Sequence, residues 1–232
     1  GCGLQYAGGR GLKGIIAQPS SLLKPKFIKL LINVPRFHKA AKKLLADGDS
    51  SLTWGEFLKR EQFDDYFIKH FAIPLVSCVW SAGDLDTLEY PAIHLFQFLA
   101  NHGLLEIKNS PSWRTVIGGS KTYVDAITRL IPDKRNAKVE SVQRINDGVL
   151  VNGEKFDYAI IATHADQALQ MLTDASAQEK LDLSAIGYSK NKTQLHSDDS
   201  VMPSARQAKA SWNYLMNSCV DQKDEVKVSY WM

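Results

Sequence analysis

The stretch Lys155–Leu172, KFDYAIIATHADQALQML, decides the fold class that the sequence predicts. An apolar, β-branched run leaves a polar turn, reaches small residues at Ala162, and continues into a helical pattern after His164. Strand–turn–helix corners of this kind hold nucleotides in α/β proteins, because the end of the strand and the first helical amides converge. The corner therefore predicts part of a nucleotide-binding unit.

Strands are predicted both around this corner and elsewhere in the chain. Three short strands are expected between Lys138 and Thr163, joined by Asn-Asp-Gly and Asn-Gly turns. Apolar or alternating patterns predict further strands in GLQYAG, GLKGIIAQP, WRTVIGG, NKTQLHSD, ASWNYLM and VKVSYWM. We expect the strands near both chain ends to share one sheet.

Helical periodicity fills much of the first half of the chain. A helix is predicted from about Ser20 to Ala46, with a kink at Pro35. Thr53 with Glu56 three residues later forms the pattern of a capping box. Further helices are expected before a break at Pro74, before Gly103, after Ser120 and after His164. Helices combined with a strand-rich second half predict the mixed α+β class.

Charge is distributed unevenly along the 232 residues, whose net charge is +3. Residues 1–46 contain nine basic and no acidic side chains, so the remaining 19 basic and 25 acidic ones sum to −6. The helix 25–46 combines an apolar stripe with a cationic face. That face is compatible with solvent exposure or with peripheral contact of an anionic membrane through Lys24–Lys43. No motif supports nucleic-acid binding.

Several classes of site find little support. Gly9, Gly11 and Gly14 fit G-x-G-x-x-G formally, but no buried strand precedes them and Pro19 interrupts the required helix. The three cysteines lack metal-ligand or disulfide spacing, which suits a reducing, cytoplasmic location. No nucleophile elbow, no carboxylate pair at a useful spacing and no HExxH sequence is present, so no catalytic residue and no metal ligand is assigned.

The blocks WRTVIGGSKTYVDAI, FDYAIIATHADQALQML and ASWNYLM…VSYWM carry a resemblance. Together they resemble the flavin-containing amine oxidase and desaturase-like superfamily, and within it the bacterial predicted FAD-binding oxidoreductases associated with cyclopropane fatty acid synthesis. Members of that family begin with a Rossmann glycine fingerprint and end with a second glycine-rich segment. This chain has neither, so we expect it to correspond to the central part of such a protein.

The resemblance implies a division of the chain and a set of cofactor contacts. Residues 1–112 and 187–232 correspond to a substrate-type domain of sheet plus helices. Residues 113–186 correspond to the returning part of the FAD-binding domain. The FAD contacts carried over are Gly118, Gly119, Ser120, Val139, Ala162, Thr163 and His164. We expect the 232-residue chain alone not to retain FAD, because the glycine turn that binds pyrophosphate is missing.

A substrate pocket is expected near aromatic residues of the substrate-type domain. Trp80 and Ser81 follow an interrupted helix, and Trp212 and Tyr214 share one face of a strand. Both strand aromatics are equally compatible with a role in the core, and Asn213 on the opposite face is expected to be structural. The family context favours an acyl lipid or another apolar substrate that transfers hydride to flavin. The alternative is a non-catalytic lipid- or protein-binding domain that uses the basic helix.

Overall fold

The computed structural model describes residues 3–80, 87–106, 114–133, 135–188, 190–216, 218 and 227–231. The chain forms two compact units. Unit 1 comprises residues 1–112 and 191–232, and unit 2 comprises residues 113–190. The predicted division lies at residues 112/113 and 186/187, and the functions assigned to its two parts stay predictions.

Unit 1 is mainly helical in the part that the structure describes. Its α-helices are α1 (Gly11–Ile15), α2 (Pro25–Asp47), α3 (Trp54–Arg60), α4 (Asp65–Phe67), α5 (Ile73–Trp80) and α6 (Ala92–Asn101). Short 3₁₀ turns occur at Gly8–Arg10, Pro19–Leu23 and Arg206–Ala208. The strands β4 (Trp212–Leu215) and β5 (Lys227–Tyr230) form an antiparallel pair.

An aromatic cluster around Phe37 of α2 forms the core of unit 1. The Phe37 side chain is completely buried. Its ring centroid lies 5.7–6.4 Å from the centroids of six other aromatic rings, those of Trp54, Phe57, Phe63, Phe67, Phe71 and Phe96. Most of these pairs are edge-to-face, the geometry that the charge distribution of aromatic rings favours. One side chain thus joins α2 to α3, α4 and α6.

The two faces of α2 have different environments. The predicted apolar stripe is confirmed as core, because Phe27, Leu30, Phe37, Ala41 and Leu44 are each no more than 1% exposed. Pro35 is exposed on the outer side, and the helix continues past it as a single element. Gly48 ends the helix with a left-handed conformation, φ 67°.

The segment before Pro74 is a π-helical turn, Ile68–Ala72. Proline has no amide hydrogen, so the carbonyl of His70 receives no α-helical hydrogen bond from Pro74. The Tyr6 hydroxyl donates to that carbonyl instead, at 2.7 Å. The predicted helix break at Pro74 is therefore a local change of helix type, in which a distant side chain replaces the missing backbone donor.

Helix boundaries in unit 1 follow the sequence signals. Thr53 accepts a hydrogen bond from the Glu56 amide, and the Glu56 carboxylate accepts one from the Thr53 amide, so the predicted capping box is confirmed. Gly103, with φ 66°, follows the end of α6 as expected. These caps satisfy amides and carbonyls that a helix end leaves without a partner.

The predicted strands at the start of the chain are wrong. Residues 8–15 form a 3₁₀ turn followed by α1, and the Ala7 amide donates to the Gly14 carbonyl at 3.0 Å. A Cβ atom on Gly14 would lie 2.2 Å from the Ala7 carbonyl oxygen, so only glycine allows this close approach. The glycines thus close a compact turn. Because no strand forms in this segment, the prediction that strands near both chain ends share one sheet is wrong.

Unit 2 contains the predicted meander of three short strands. Strands β1 (Val142–Ile145), β2 (Gly148–Val151) and β3 (Glu154–Phe156) form an antiparallel sheet in that order. At the second turn, Asn152 and Gly153 have φ values of 50° and 83°, as a two-residue hairpin turn with two positive φ angles requires. The Asn-Gly prediction is confirmed.

The helices of unit 2 are α7 (Lys121–Thr128), α8 (Ala165–Met171) and α9 (Ala177–Ser184). They lie where the sequence predicts them. The Thr173 amide donates to the Val142 carbonyl, and Arg144 forms ion pairs with Asp174 and Glu179. These contacts join β1 to α9 and to the segment that precedes it.

Three other predicted strands are absent from the described residues. Segments 114–117, 157–163 and 191–198 have no strand pairing. Tyr158 is 90% exposed and Ile160 is 95% exposed. A strand that is apolar on both faces needs neighbours on both sides, and no described strand supplies them here. The mixed α+β class itself is confirmed by the helices and the two small antiparallel sheets.

We predict that Tyr6→Phe destabilises unit 1 by about 1 kcal/mol, because the hydrogen bond from the Tyr6 hydroxyl to the His70 carbonyl is lost. The ring would still pack edge-to-face on Phe27, 5.5 Å away, so lost packing would not explain the effect. Urea denaturation followed by circular dichroism measures the change. Tyr158→Phe, at a tyrosine that is 90% exposed, is the matched control and should leave the midpoint unchanged. Equal midpoints for Tyr6→Phe and the parent chain would contradict this account of the π-helical turn.

Candidate functional site

Gly118, Gly119 and Ser120 lie directly before α7. The two glycines have φ values of 82° and 78°, a conformation that other residues adopt rarely. A Cβ atom on Gly119 would meet nothing within 4 Å, whereas one on Gly118 would lie 2.9 Å from the Thr122 hydroxyl oxygen. The backbone at Gly119 is therefore open to close approach by another molecule or chain segment.

The helix that follows has an uncovered apolar side. None of the residues of α7 is buried. Val124 and Ile127 are about half exposed, at 45% and 56%, although they occupy positions i and i+3 on one face. An amphipathic helix normally buries such a face against a core.

Val139 lies outside the strand in which the sequence placed it. Strand β1 begins three residues later, at Val142. The side chain of Asn152 holds the intervening segment, because it accepts hydrogen bonds from the amides of Glu140 and Ser141 and donates to the Lys138 carbonyl. The position of Val139 is thus fixed by hydrogen bonds from the side chain of Asn152 in the β2–β3 turn. The prediction that Val139 lies in a strand is wrong.

The corner of Ala162, Thr163 and His164 contains a contact that the sequence does not predict. The His164 ring stacks on the Tyr188 ring, with centroids 4.5 Å apart and an interplanar angle of 8°. The Tyr188 hydroxyl accepts a hydrogen bond from the Ala165 amide at 2.8 Å. The amide at the start of α8 is therefore already bonded to the Tyr188 hydroxyl. The stacked His164 ring helps to hold Tyr188 in this position. Tyr188 is 24 residues from His164, and no local spacing links the two.

In unit 1, Trp80 lies at the end of α5 within an aromatic group. Its ring centroid is 5.0 Å from that of Phe98 and 5.8 Å from that of Tyr90. The Trp80 side chain is 36% exposed, so part of this aromatic surface faces solvent. Ser81, the neighbouring residue expected in the pocket, lies outside the residues that the structure describes.

Strand β4 lies beside α5, which brings the predicted pocket elements into one region of unit 1. Trp212 is 40% exposed and Tyr214 is partly buried, whereas Asn213 between them is only 6% exposed. The Asn213 side chain accepts from the Ala210 amide and donates to the carbonyls of Ala210 and Ser229. Inward- and outward-facing side chains alternate along β4 as predicted. Asn213 faces inward and fixes the hairpin, and Trp212 and Tyr214 lie on the opposite face of the strand.

Among the described residues, the strongly shifted titratable groups of unit 1 belong to its interior. Burial raises the pKa of the Cys78 thiol to about 12, which makes it a poor nucleophile at neutral pH. Burial also lowers the pKa of His70, whose Nδ1 lies 2.9 Å from the Tyr66 carbonyl oxygen. No group of three or more potential metal ligands is found within the described ranges.

Comparison with protein-family models and with curated proteins finds no match for this chain. None of the helices that the structure describes is both long enough and apolar enough to cross a membrane. The predicted cofactor residues all lie in unit 2, and the described pocket residues all lie in unit 1.

We predict that Asn213→Ala destabilises unit 1 by about 1–3 kcal/mol, because it leaves buried backbone groups of the hairpin without partners. Trp212→Phe should have a smaller effect, since the indole is 40% exposed. Urea denaturation followed by circular dichroism compares the two variants. A larger loss from Trp212→Phe than from Asn213→Ala would identify Trp212 as a core residue and remove it from the pocket.

Proposed function

We propose that this chain is the central part of an FAD-dependent oxidoreductase of the amine oxidase type. In this proposal unit 1 is the substrate-type domain, and unit 2 is the returning portion of the FAD-binding domain. The observation that carries the proposal is the unpaired apolar segment 157–163, in which Ile160 is 95% exposed. Such a segment suits a strand of a larger sheet that residues outside this chain complete.

The apolar surface of unit 2 supports the same interpretation. Its described buried apolar residues are Val142, Ala165 and Ala168, two of which are alanines. In contrast, Ile117, Leu130 and Ile160 are each more than 80% exposed. So many exposed aliphatic side chains beside so small a buried core support an interface on this unit. A nucleotide-binding half-domain would cover it with neighbouring strands and helices.

The residues before α7 fit a bound flavin in one respect. The open space at Gly119 and the positive φ angles at both glycines allow the backbone to approach a flat ligand closely. The corner at His164 fits less directly, because the Tyr188 hydroxyl already accepts from the Ala165 amide. We therefore assign Gly118, Gly119 and Ser120 to the cofactor contact, and Ala162, Thr163 and His164 to the wall beside it.

Bound flavin supplies the hydride acceptor in such chemistry, so the protein needs no acid–base pair of its own. The contribution of unit 1 would be an apolar, aromatic surface that orients the substrate and excludes water. Trp80, Trp212 and Tyr214 are the side chains proposed for this role. An acyl lipid or another apolar molecule is the proposed substrate class.

The alternative, a non-catalytic lipid- or protein-binding domain, would use the basic helix α2. The apolar stripe of α2 is buried in the core of unit 1, so only its outer face is open to a partner. That face is compatible with the oxidoreductase proposal as well as with the alternative. We propose a cytoplasmic location, because the spacing of the three cysteines suits a reducing compartment.

The test is flavin content in the product of the complete reading frame that contains this chain. We predict about one FAD per polypeptide, and loss of that FAD in Gly119→Asn, whose side chain would fill the open space at the backbone. Asparagine tolerates positive φ better than most residues, so the change adds bulk with little strain. Absorbance of the purified protein measures the flavin, and circular dichroism reports folding.

Gly153→Asn is the matched control. Gly153 has φ 83° and no atom within 4 Å of a built Cβ, as at Gly119, but it lies in the β2–β3 turn. The control variant should retain flavin. A complete product that binds no flavin even when FAD is added would refute the oxidoreductase proposal. Normal flavin content in Gly119→Asn would refute the role assigned to the glycine pair.

A further inference from the structure

We propose that the outer face of α2, together with the end of the preceding 3₁₀ turn, is a docking surface for an anionic lipid bilayer. We call it the basic–apolar face and define it by Leu22, Leu23, Ile28, Ile32, Lys39 and Lys43. The aliphatic side chains would enter the headgroup region, and the lysines would contact anionic headgroups. This inference concerns unit 1 alone and does not rest on flavin binding.

The first observation is a cluster of exposed aliphatic side chains. Leu23 is 86% exposed and Ile32 is 68% exposed, and Leu22 and Ile28 are exposed at 41% and 37%. Single exposed hydrophobic residues are common, but here four of them lie within eleven residues of chain, and Ile28 and Ile32 share one side of α2. The same helix buries its opposite side completely, so this exposure does not reflect a poorly packed element.

The second observation is the alignment of these residues on the helix. Ile28, Ile32, Lys39 and Lys43 follow spacings of four, seven and four residues, which keeps them on one side of an α-helix. At a rise of about 1.5 Å per residue, this stripe extends roughly 22 Å along the helix. Aliphatic residues occupy its N-terminal half and lysines its C-terminal half, so a helix lying flat on a bilayer would present both.

The third observation is which basic side chains of α2 already have a partner within the protein. Lys29 pairs with Asp64 at 2.8 Å, and Lys42 pairs with Glu106 at 2.6 Å. Arg36 donates to the Glu61 carbonyl and lies over the Phe63 ring. In the described part of the chain, Lys39 and Lys43 have no carboxylate within ion-pair distance. Their charges are thus available to an external anion.

Charge complementarity selects an anionic bilayer as the occupant. Residues 1–46 carry nine basic and no acidic side chains, so a second copy that docked through this same face would bring like charges together. The exposed side chains are aliphatic and lack the aromatic rings on which nucleic-acid bases stack. A lipid headgroup region offers both anionic phosphates and an apolar layer immediately below them.

The structure changes the residues expected to carry membrane contact. The sequence assigned this contact to the whole interval Lys24–Lys43, including Lys42. Lys42 is paired with Glu106, so its charge is not available to the bilayer. Removal of Lys42 should therefore have little effect on membrane contact. The apolar component, in contrast, begins before Lys24, at Leu22, which charge alone does not reveal.

Vesicle co-sedimentation tests the proposal with the 232-residue chain. Phosphatidylcholine vesicles with and without phosphatidylserine serve as the anionic and neutral surfaces. The charge variant is Lys39→Gln with Lys43→Gln, and its matched control is Lys29→Gln with Lys42→Gln, which removes the same charge from paired positions. The apolar variant is Leu23→Ser, and its control is Leu195→Ser, at a leucine that is 88% exposed. Circular dichroism verifies folding of each variant.

We expect binding to the anionic vesicles only, with each unpaired lysine contributing about fivefold and the charge variant binding about 25-fold more weakly. Leu23→Ser should weaken binding about tenfold. Both controls should bind within about twofold of the parent chain. High salt should reduce binding, because the attraction is screened.

Three results would overturn the proposal. Equal sedimentation with neutral and anionic vesicles, or with neither, would exclude an anionic bilayer as the occupant. Equal losses from the charge variant and its control would show that net charge alone matters. Self-association of the chain that Leu23→Ser abolishes, measured by analytical ultracentrifugation, would assign the face to a second copy.

Discussion

The position of Phe37 is the constraint on which the structure of unit 1 depends. Its buried ring contacts aromatic side chains from α3, α4 and α6 at once, and it fixes which side of α2 faces inward. Because α2 is 23 residues long, that choice also determines every residue on its outer side. The buried stripe of α2 and the α2 part of the basic–apolar face are therefore two consequences of one packing arrangement.

Unit 2 has no comparable centre among its described residues. Its small meander and its helices are joined by hydrogen bonds, ion pairs and the Tyr188 contact, whereas large aliphatic side chains such as Ile117, Leu130 and Ile160 remain at the surface. Burial of apolar area is the dominant favourable contribution to folding, so such a unit gains much from a covering partner. The proposed nucleotide-binding half-domain would provide that cover, and the same arrangement would place Gly118 and Gly119 against its cofactor.

Local signals in the sequence predicted local structure well. The Thr53–Glu56 capping box, the Asn152–Gly153 turn and the buried stripe of α2 each depend on a few neighbouring residues, and each is present. The errors arose where structure depends on distant partners. Segment 157–163 has the composition of a strand but no described neighbour to pair with. The His70 carbonyl, to which Pro74 cannot donate, accepts from the hydroxyl of Tyr6, 64 positions earlier in the sequence. Local sequence spacing cannot predict a missing strand neighbour, the bond from Tyr6 to His70, or the stacking of Tyr188 on His164.

The described part of unit 1 has a continuous buried core, whereas in unit 2 the apolar segment 157–163 has no described strand beside it. Hydrogen–deuterium exchange of the 232-residue chain, resolved by peptide, tests this claim most directly. We expect slow exchange for amides in α2, α3 and α6, since they surround the Phe37 cluster. Amides of residues 158–163 should exchange nearly as fast as those of an unstructured peptide. Protection of residues 158–163 equal to that of β1 and β2 would contradict the account, because it would show that this segment is already paired.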